Sequence, residues 1–175
     1  MELFSLDELS LNVLDIAFNS VKAGASLIEI EISARTEENT LIITVRDNGC
    51  GFDVNAYKRC EENLPEKSGG KGLILFKQSA EKTGGSFELK SEKGIGTVVK
   101  ASYILNGPNR APLGDMAETI AALALCEGVD IVYTCSLDDK SFRVDTRQTE
   151  NPANLGILKK FIRENTDFIN KNRIF

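Results

Sequence analysis

The chain contains no histidine, and this absence excludes several classes of catalysis. Serine and cysteine nucleophiles that depend on a histidine base cannot be built from these 175 residues. Autophosphorylation on a histidine within the chain is excluded for the same reason. The usual zinc patterns are also missing, because the four cysteines form no CxxC pair and have no histidine to join them. We expect the cysteines to be reduced core or loop thiols.

A surplus of basic residues is lacking as well. The formal net charge is -5, whereas nucleic acids and anionic membranes select lysine- and arginine-rich surfaces. We therefore expect neither as the main partner, and any phosphate binding must be local. No apolar run is long enough to span a bilayer, and acidic residues stand near the start where a basic leader peptide is expected. The default expectation is a cytoplasmic protein.

The chain does contain enough apolar residues for a core of ordinary size. With 42% hydrophobic residues in 175 positions, it fits one domain, or one domain with a small appendage. The patterns predict a helix and two strands, then a second helix and two strands, which is an α+β order. A segment with Pro108 marks a boundary, so we expect one domain over residues 1–107 and an αββα extension over residues 108–175.

A strand that ends in Asp-Asn-Gly-Cys-Gly, residues 47–51, is the feature on which the interpretation depends. The preceding residues 41–46 are largely β-branched and apolar, so they carry Asp47 to a strand end, where its side chain can point into a cleft. Gly49 and Gly51 can adopt backbone angles closed to other residues, which lets a ligand lie against the backbone. Taken alone, the segment is also an ordinary turn sequence.

The first helix is predicted over residues 6–23, with Ser5 and Glu8 as a capping box. Its apolar face is Leu14, Ala17, Phe18 and Val21. Its polar stripe is Asn12, Asp15, Asn19 and Lys22. The stripe fits a solvated face, but Asn19 is a poor helix former at mid-helix and has no local reason to be there. A binding role for the stripe therefore stays open beside the solvated one.

A charged stretch over residues 52–68 leads into Ser-Gly-Gly-Lys-Gly, residues 68–72. We interpret it as a mobile lid closed by a glycine-rich turn, with a second helix beginning at Gly72. Helix N-termini favour anions, although the same pattern also fits a plain helix start. The turn is not a Walker loop, because no GxxxxGK[ST] occurs.

These segments, in this order, resemble the GHKL ATPase superfamily over roughly residues 6–104. The pieces that carry the resemblance are DIAFNSVKAGA from Asp15, DNGCG from Asp47, SGGKGL from Ser68 and GIGT from Gly94. The resemblance implies a histidine-kinase-like ATPase fold, an α/β two-layer sandwich in which helices cover one face of a mixed sheet. It also implies ATP and magnesium as ligands.

At the base end, the resemblance implies that Asp47 accepts a hydrogen bond from the adenine amino group, a donor that guanine lacks at that position. Thr97 matches the hydroxyl that contacts the base, often through water. Gly49 and Gly51 would let the backbone approach the base and ribose.

At the phosphate end, Asn19 matches the family's magnesium-holding asparagine, and an amide oxygen suits that ion. Lys22 matches a basic residue that reaches the phosphates in histidine kinases. Gly70, Lys71 and Gly72 would offer backbone N–H groups to phosphate oxygens. Lys71 departs from the small or apolar residue usual there.

Asp15 matches the position where hydrolytic members and anti-sigma serine kinases carry a glutamate as general base. Aspartate is shorter by one methylene, so its carboxylate reaches less far towards water or a serine hydroxyl. Two roles stay open for it: general base, and a structural or magnesium-supporting carboxylate.

Three functions follow as alternatives. The first is an ATP-dependent protein serine/threonine kinase or ATP hydrolase, similar to anti-sigma factors, and the second is a non-catalytic switch in which nucleotide controls binding of a protein partner. The third is a structural domain that has kept the fold but no longer binds nucleotide, and the intact motifs argue against it. A complete sensor histidine kinase is not expected, since no phosphoacceptor histidine precedes the domain. The extension resembles that of small clostridial-type ATP-binding proteins, and a homodimer is an open possibility.

Overall fold

The computed structural model describes residues 8–55, 71–148, 154–171 and 174–175. The helices bounded within these ranges are α1 (Leu9–Lys22), α2 (Lys71–Glu81), α3 (Met116–Ala124) and α4 (Leu155–Ile169). The strands are β1 (Leu27–Arg35), β2 (Thr40–Asp47), β3 (Ser86–Glu92), β4 (Gly96–Ile104), β5 (Asp130–Leu137) and β6 (Lys140–Asp145). The predicted lid, apart from its first residues, lies outside the described residues.

The six strands form one mixed sheet in the order β3-β4-β2-β1-β5-β6. β1 runs parallel to β5, and every other neighbouring pair among these strands is antiparallel. In β1 the side chains of Ile28, Ile30 and Ile32 are buried, whereas Glu29 and Glu31 lie on the opposite face. The buried face packs into one core with residues of all four helices. The prediction of a mixed sheet covered on one face by helices is confirmed.

The C-terminal extension joins this sheet directly. β5 pairs with β1 in parallel from Leu27 opposite Asp130 to Ala34 opposite Leu137. Residues of the extension such as Tyr133 and Ile162 belong to the same hydrophobic core as the first helix. The boundary at residue 107 stays a prediction about folding units, while the sheet and the core continue across it.

Helix α1 begins at Leu9, with Glu8 at the N-cap and no side-chain cap bond. The N–H groups of Leu9 and Ser10 instead donate to the carbonyl oxygens of Pro112 and Leu113, at 3.0 and 2.8 Å. The capping-box prediction requires Glu8 inside the first turn of the helix, but Glu8 is the residue that precedes this turn. Ser5, the other residue of the predicted box, lies outside the described residues. Backbone from the extension satisfies N–H groups that a local cap would otherwise serve.

The cysteines in the described ranges are free thiols: Cys50 is exposed, Cys126 is partly buried and Cys135 is buried. Burial raises the pKa of the Cys135 thiol to about 11, which keeps it protonated at neutral pH. Within the same ranges, no helix is both long and apolar enough to cross a membrane.

Candidate functional site

The carboxylate of Asp47, at the last position of β2, is held by three hydrogen bonds. Its Oδ1 accepts from the backbone N–H groups of Gly49 at 2.9 Å and Thr97 at 3.2 Å. Its Oδ2 accepts from the hydroxyl of Ser20 on α1 at 2.5 Å. An ionised carboxylate offers about four acceptor positions, so one is left for a further donor.

The turn after Asp47 is packed tightly between α1 and the β3–β4 turn. The N–H of Cys50 donates to the Ala23 carbonyl at 2.9 Å, and the Cys50 carbonyl accepts from Gly94 at 2.8 Å. Gly51 has φ +59°, and a Cβ there would collide with the carbonyl oxygen of Glu92. A Cβ on buried Gly49 would stand 3.0 Å from the Ala23 carbonyl oxygen. The packing of the protein itself therefore requires glycine at position 51 and leaves little room for a Cβ at position 49.

Thr97 lies opposite Asp47 in the pairing of β4 with β2. Its hydroxyl shares a hydrogen bond of 2.9 Å with that of Ser91, which also accepts from the N–H of Phe52 at 2.9 Å. The first residue after the glycine turn is thereby attached to β3, beside the start of β4 that carries Thr97.

A cavity of about 250 Å³ lies over Asp47, between α1 and the sheet. Its polar lining is Asn19, Ser20, Asp47 and Thr97, and its apolar lining includes Ile16, Ala23, Leu73 and Val99. Apolar walls with a few convergent polar groups suit a flat heterocyclic base that has a polar edge. The arrangement therefore fits the adenine group that the sequence predicts.

A larger hollow of about 430 Å³ lies on the helix-free face of the sheet and also touches Asp47 and Thr97. Its lining includes charged side chains such as Glu29, Arg46 and Lys90. The carboxylate of Asp47 bonds to α1 on the helix-covered face. We place the candidate site in the smaller cavity for this reason.

Near the middle of α1, the carboxylate of Asp15 lies against Gly72, where a Cβ would collide with Asp15 Oδ2. Gly72 is the buried second residue of α2, and Asp15 is exposed. Lys71 is the first residue of α2, and Gly70 lies outside the described residues. Lys22 is the exposed last residue of α1.

The predicted polar stripe along α1 is not uniform. Asp15 and Lys22 are exposed, and Asn19 is half-buried at the cavity. Asn12 is only 2% exposed, and within the described residues its Oδ1 has no hydrogen-bond partner. The interpretation of the stripe as a solvated face is therefore wrong for Asn12.

The sequence did not predict the contact of Ser20 with Asp47, nor the contacts that Asn48 and Ser91 make at the site. Asn48 Oδ1 accepts from the N–H groups of Ser26 and Leu27, both at 2.9 Å, which ties the end of β2 to the start of β1. Ser91 supports Thr97 from the neighbouring strand. Nothing in the local sequence marks Ser20 or Ser91, because their partners are distant in the chain or on another strand. Asn48 lies in a turn motif, and this position was the only sequence feature that could have indicated its structural role.

No group of three or more histidine, cysteine, aspartate or glutamate side chains that would suit a metal ion occurs in the part of the chain that the structure describes. Asn19 at the cavity is the residue that would contribute an amide oxygen to magnesium. Most of that ion's ligands would then come from phosphate oxygens and water.

The family model for histidine kinase-, DNA gyrase B- and HSP90-like ATPases matches residues 5–106. The match covers more than half of the chain, and the chain belongs to this family. The prediction of a GHKL superfamily member is confirmed, and the chain carries an ATP-binding domain of this type.

A curated relative is the probable C4-dicarboxylate sensor kinase of Bacillus subtilis (strain 168), which is 32% identical over 101 residues. The match covers 55% of this chain but only 19% of the relative, so this chain spans about a fifth of that protein. Among solved structures, the N-terminal domain of a DNA repair protein has a TM-score of 0.53 at 16% identity, covering 93% of this chain and 56% of that one. The Aquifex aeolicus MutL ATPase domain complexed with ADP has a TM-score of 0.48 at 15% identity, covering 83% and 66%.

Proposed function

We propose that this protein binds magnesium-ATP in the cavity over Asp47 and directs phosphoryl transfer to a protein hydroxyl or to water. The observation that carries the proposal is the Asp47 carboxylate, fixed by three hydrogen bonds with one acceptor position left. Family membership supports ATP as the nucleotide.

At the base end, Asp47 would accept the N6–H of adenine. Hydrogen bonds to a charged group contribute about 1.5–3 kcal/mol, and guanine has a carbonyl oxygen in place of that donor. The Thr97 hydroxyl would serve the same base directly or through water, and Gly49 and Gly51 would bring backbone close to base and ribose.

At the phosphate end, the Asn19 side-chain oxygen would ligate magnesium, and Lys22 would offset phosphate charge. The backbone N–H groups of Gly70, Lys71 and Gly72 would donate to phosphate oxygens, where the helix dipole of α2 also favours negative charge. The position of Asp15 against Gly72 supports this arrangement, because it brings the first turn of α2 against α1 only one helical turn before Asn19.

The acceptor of the phosphoryl group would belong to a protein partner. The chain has no histidine of its own, and the resemblance to anti-sigma serine kinases favours a serine or threonine hydroxyl. The name of the Bacillus subtilis relative, a probable sensor kinase, supports transfer to protein as the reaction class. In this function Asp15 removes the proton of the attacking hydroxyl. A cytoplasmic location and a homodimer stay part of the proposal.

A second function is favoured by one feature, the aspartate at position 15. Its carboxylate is one methylene shorter than that of the glutamate in hydrolytic members, so its reach towards an attacking group is reduced. A protein that carries aspartate in place of this glutamate can keep ATP bound without hydrolysing it. Occupancy of the site by nucleotide then controls the binding of a protein partner. In that function Asp15 supports magnesium or the first turn of α2.

The two functions are separated by incubating the purified chain with magnesium and γ-labelled ATP, alone and with candidate partner proteins. Released phosphate, or label on a partner hydroxyl, supports the enzyme. Saturable ATP binding with neither product supports the switch. Absence of ATP binding contradicts both.

A further inference from the structure

Ser20 is a buried polar residue of α1, with 4% of its surface exposed. Its hydroxyl has one proton and two neighbouring acceptors: Asp47 Oδ2 at 2.5 Å and the Ile16 carbonyl oxygen at 3.5 Å. The distance to Asp47 is typical of a charge-assisted O–H···O⁻ bond, whereas the other lies at the limit of hydrogen bonding. The Ser20 hydroxyl therefore donates its hydrogen bond to Asp47 and not to the Ile16 carbonyl.

The two oxygens of Asp47 are held in different ways. Oδ1 is bonded to the backbone N–H groups of Gly49 and Thr97, which the turn and the sheet fix in place. Oδ2 has its described hydrogen bond from the side chain of Ser20. The terminal torsion of aspartate is broad, so the bonds to Oδ1 alone leave the plane of the carboxylate free to swing.

We propose that Ser20 is a positioning residue that sets the orientation of the Asp47 carboxylate and thereby the selectivity for adenine. This inference rests on the proposed function of Asp47 as adenine acceptor. With Ser20 in place, the remaining acceptor position of Asp47 has a fixed direction across the cavity. Without it, Asp47 keeps its charge and its place on β2 but loses that direction. The preference for adenine over other bases then decreases more than the overall affinity for nucleotide.

The test compares dissociation constants for ATP and inosine triphosphate, with magnesium, for the wild type and Ser20→Ala. Inosine triphosphate carries a carbonyl oxygen where ATP carries the amino group, so it places an acceptor, and not a donor, opposite the Asp47 carboxylate. The expected result is a roughly tenfold smaller preference for ATP in Ser20→Ala, with the affinity for inosine triphosphate unchanged or raised. Ser20→Thr keeps the hydroxyl and should restore the preference.

Ser10→Ala is the matched control, because Ser10 is a buried serine of the same helix, 2% exposed, whose hydroxyl bonds to Glu8 at 3.3 Å. It should retain the full preference for ATP. If Ser20→Ala does not fold, Ser20→Cys, which offers only a weak donor, should show the same loss of preference.

A parallel weakening of both nucleotides in Ser20→Ala would show a merely structural role and overturn the inference, as would an unchanged preference. A wild type that binds ATP without preferring it to inosine triphosphate also contradicts it. A wild type that binds neither nucleotide contradicts the proposed function itself, which is a distinguishable result.

Discussion

Asp15 on α1 and Gly72 on α2 are in direct contact, and no side chain larger than hydrogen fits at position 72 unless Asp15 moves. The contact joins the candidate general base to the first turn of the helix that is expected to bind phosphate. Because Asp15 is exposed, its carboxylate is accessible to water or to a hydroxyl from another protein.

Asp15→Asn should abolish turnover of magnesium-ATP while ATP still binds. The amide keeps the shape of the side chain but cannot take a proton, and Asp15 is not among the residues that line the candidate adenine cavity. Phosphate release and calorimetric titration measure the two properties separately. Asp139→Asn, which makes the same charge change in the exposed turn between β5 and β6, should alter neither. Turnover that survives in Asp15→Asn would mean that this residue is not the base.

Gly51→Ala should destabilise the protein by more than about 2 kcal/mol, because strain from the positive φ adds to a collision with the Glu92 carbonyl. Gly94→Ala is its matched control: φ there is +80° but nothing lies within 4 Å of an added Cβ. The control should lose only about 1 kcal/mol. Urea unfolding of the two variants gives the difference. Equal losses would show that the packing at Gly51 has no energetic importance.

Asp145 provides a prediction for pH dependence. Its side chain is 3% exposed and bonds to Arg147 through both oxygens, at 2.8 and 2.7 Å. The Arg147 hydrogen bonds lower the pKa of the Asp145 carboxyl to about 2, whereas an unfolded aspartate titrates near 3.9. The stabilisation is therefore complete above about pH 4 and is lost as the pH falls towards 2.

Asp145→Asn should accordingly lower the urea midpoint at pH 7, and its difference from the wild type should shrink as the pH approaches 2. Urea unfolding of both proteins across this range measures it. A difference that stays constant with pH would mean that ionisation of Asp145 does not contribute to stability.

Local patterns were sufficient for most of the secondary structure. The alternation of Ile28, Ile30 and Ile32 with glutamates predicts β1 because successive side chains of a strand face opposite sides. The apolar run before Asp47 likewise predicts that this residue ends a strand. These features depend on neighbours in the chain, which the sequence displays directly.

Contacts between residues that are distant in the sequence could not be predicted from these local patterns. Ser20 is buried by an interaction with Asp47, 27 residues away, and its own neighbours do not distinguish it from an exposed helical serine. The start of α1 depends on carbonyl groups of Pro112 and Leu113 in the extension. Likewise, the parallel pairing of β1 with β5 joins segments about a hundred residues apart. Hydrophobic periodicity carries no information about such partners.

Selection of ATP by Asp47 is measured by titrating magnesium-ATP into the wild type, Asp47→Asn and the control Asp139→Asn, with thermal unfolding in parallel. We expect saturable binding to the wild type and the control, with added stability of about 2.7 kcal/mol at ~100 times the dissociation constant, and loss of both in Asp47→Asn. Equal binding and equal stabilisation in Asp47→Asn would show that Asp47 does not select ATP.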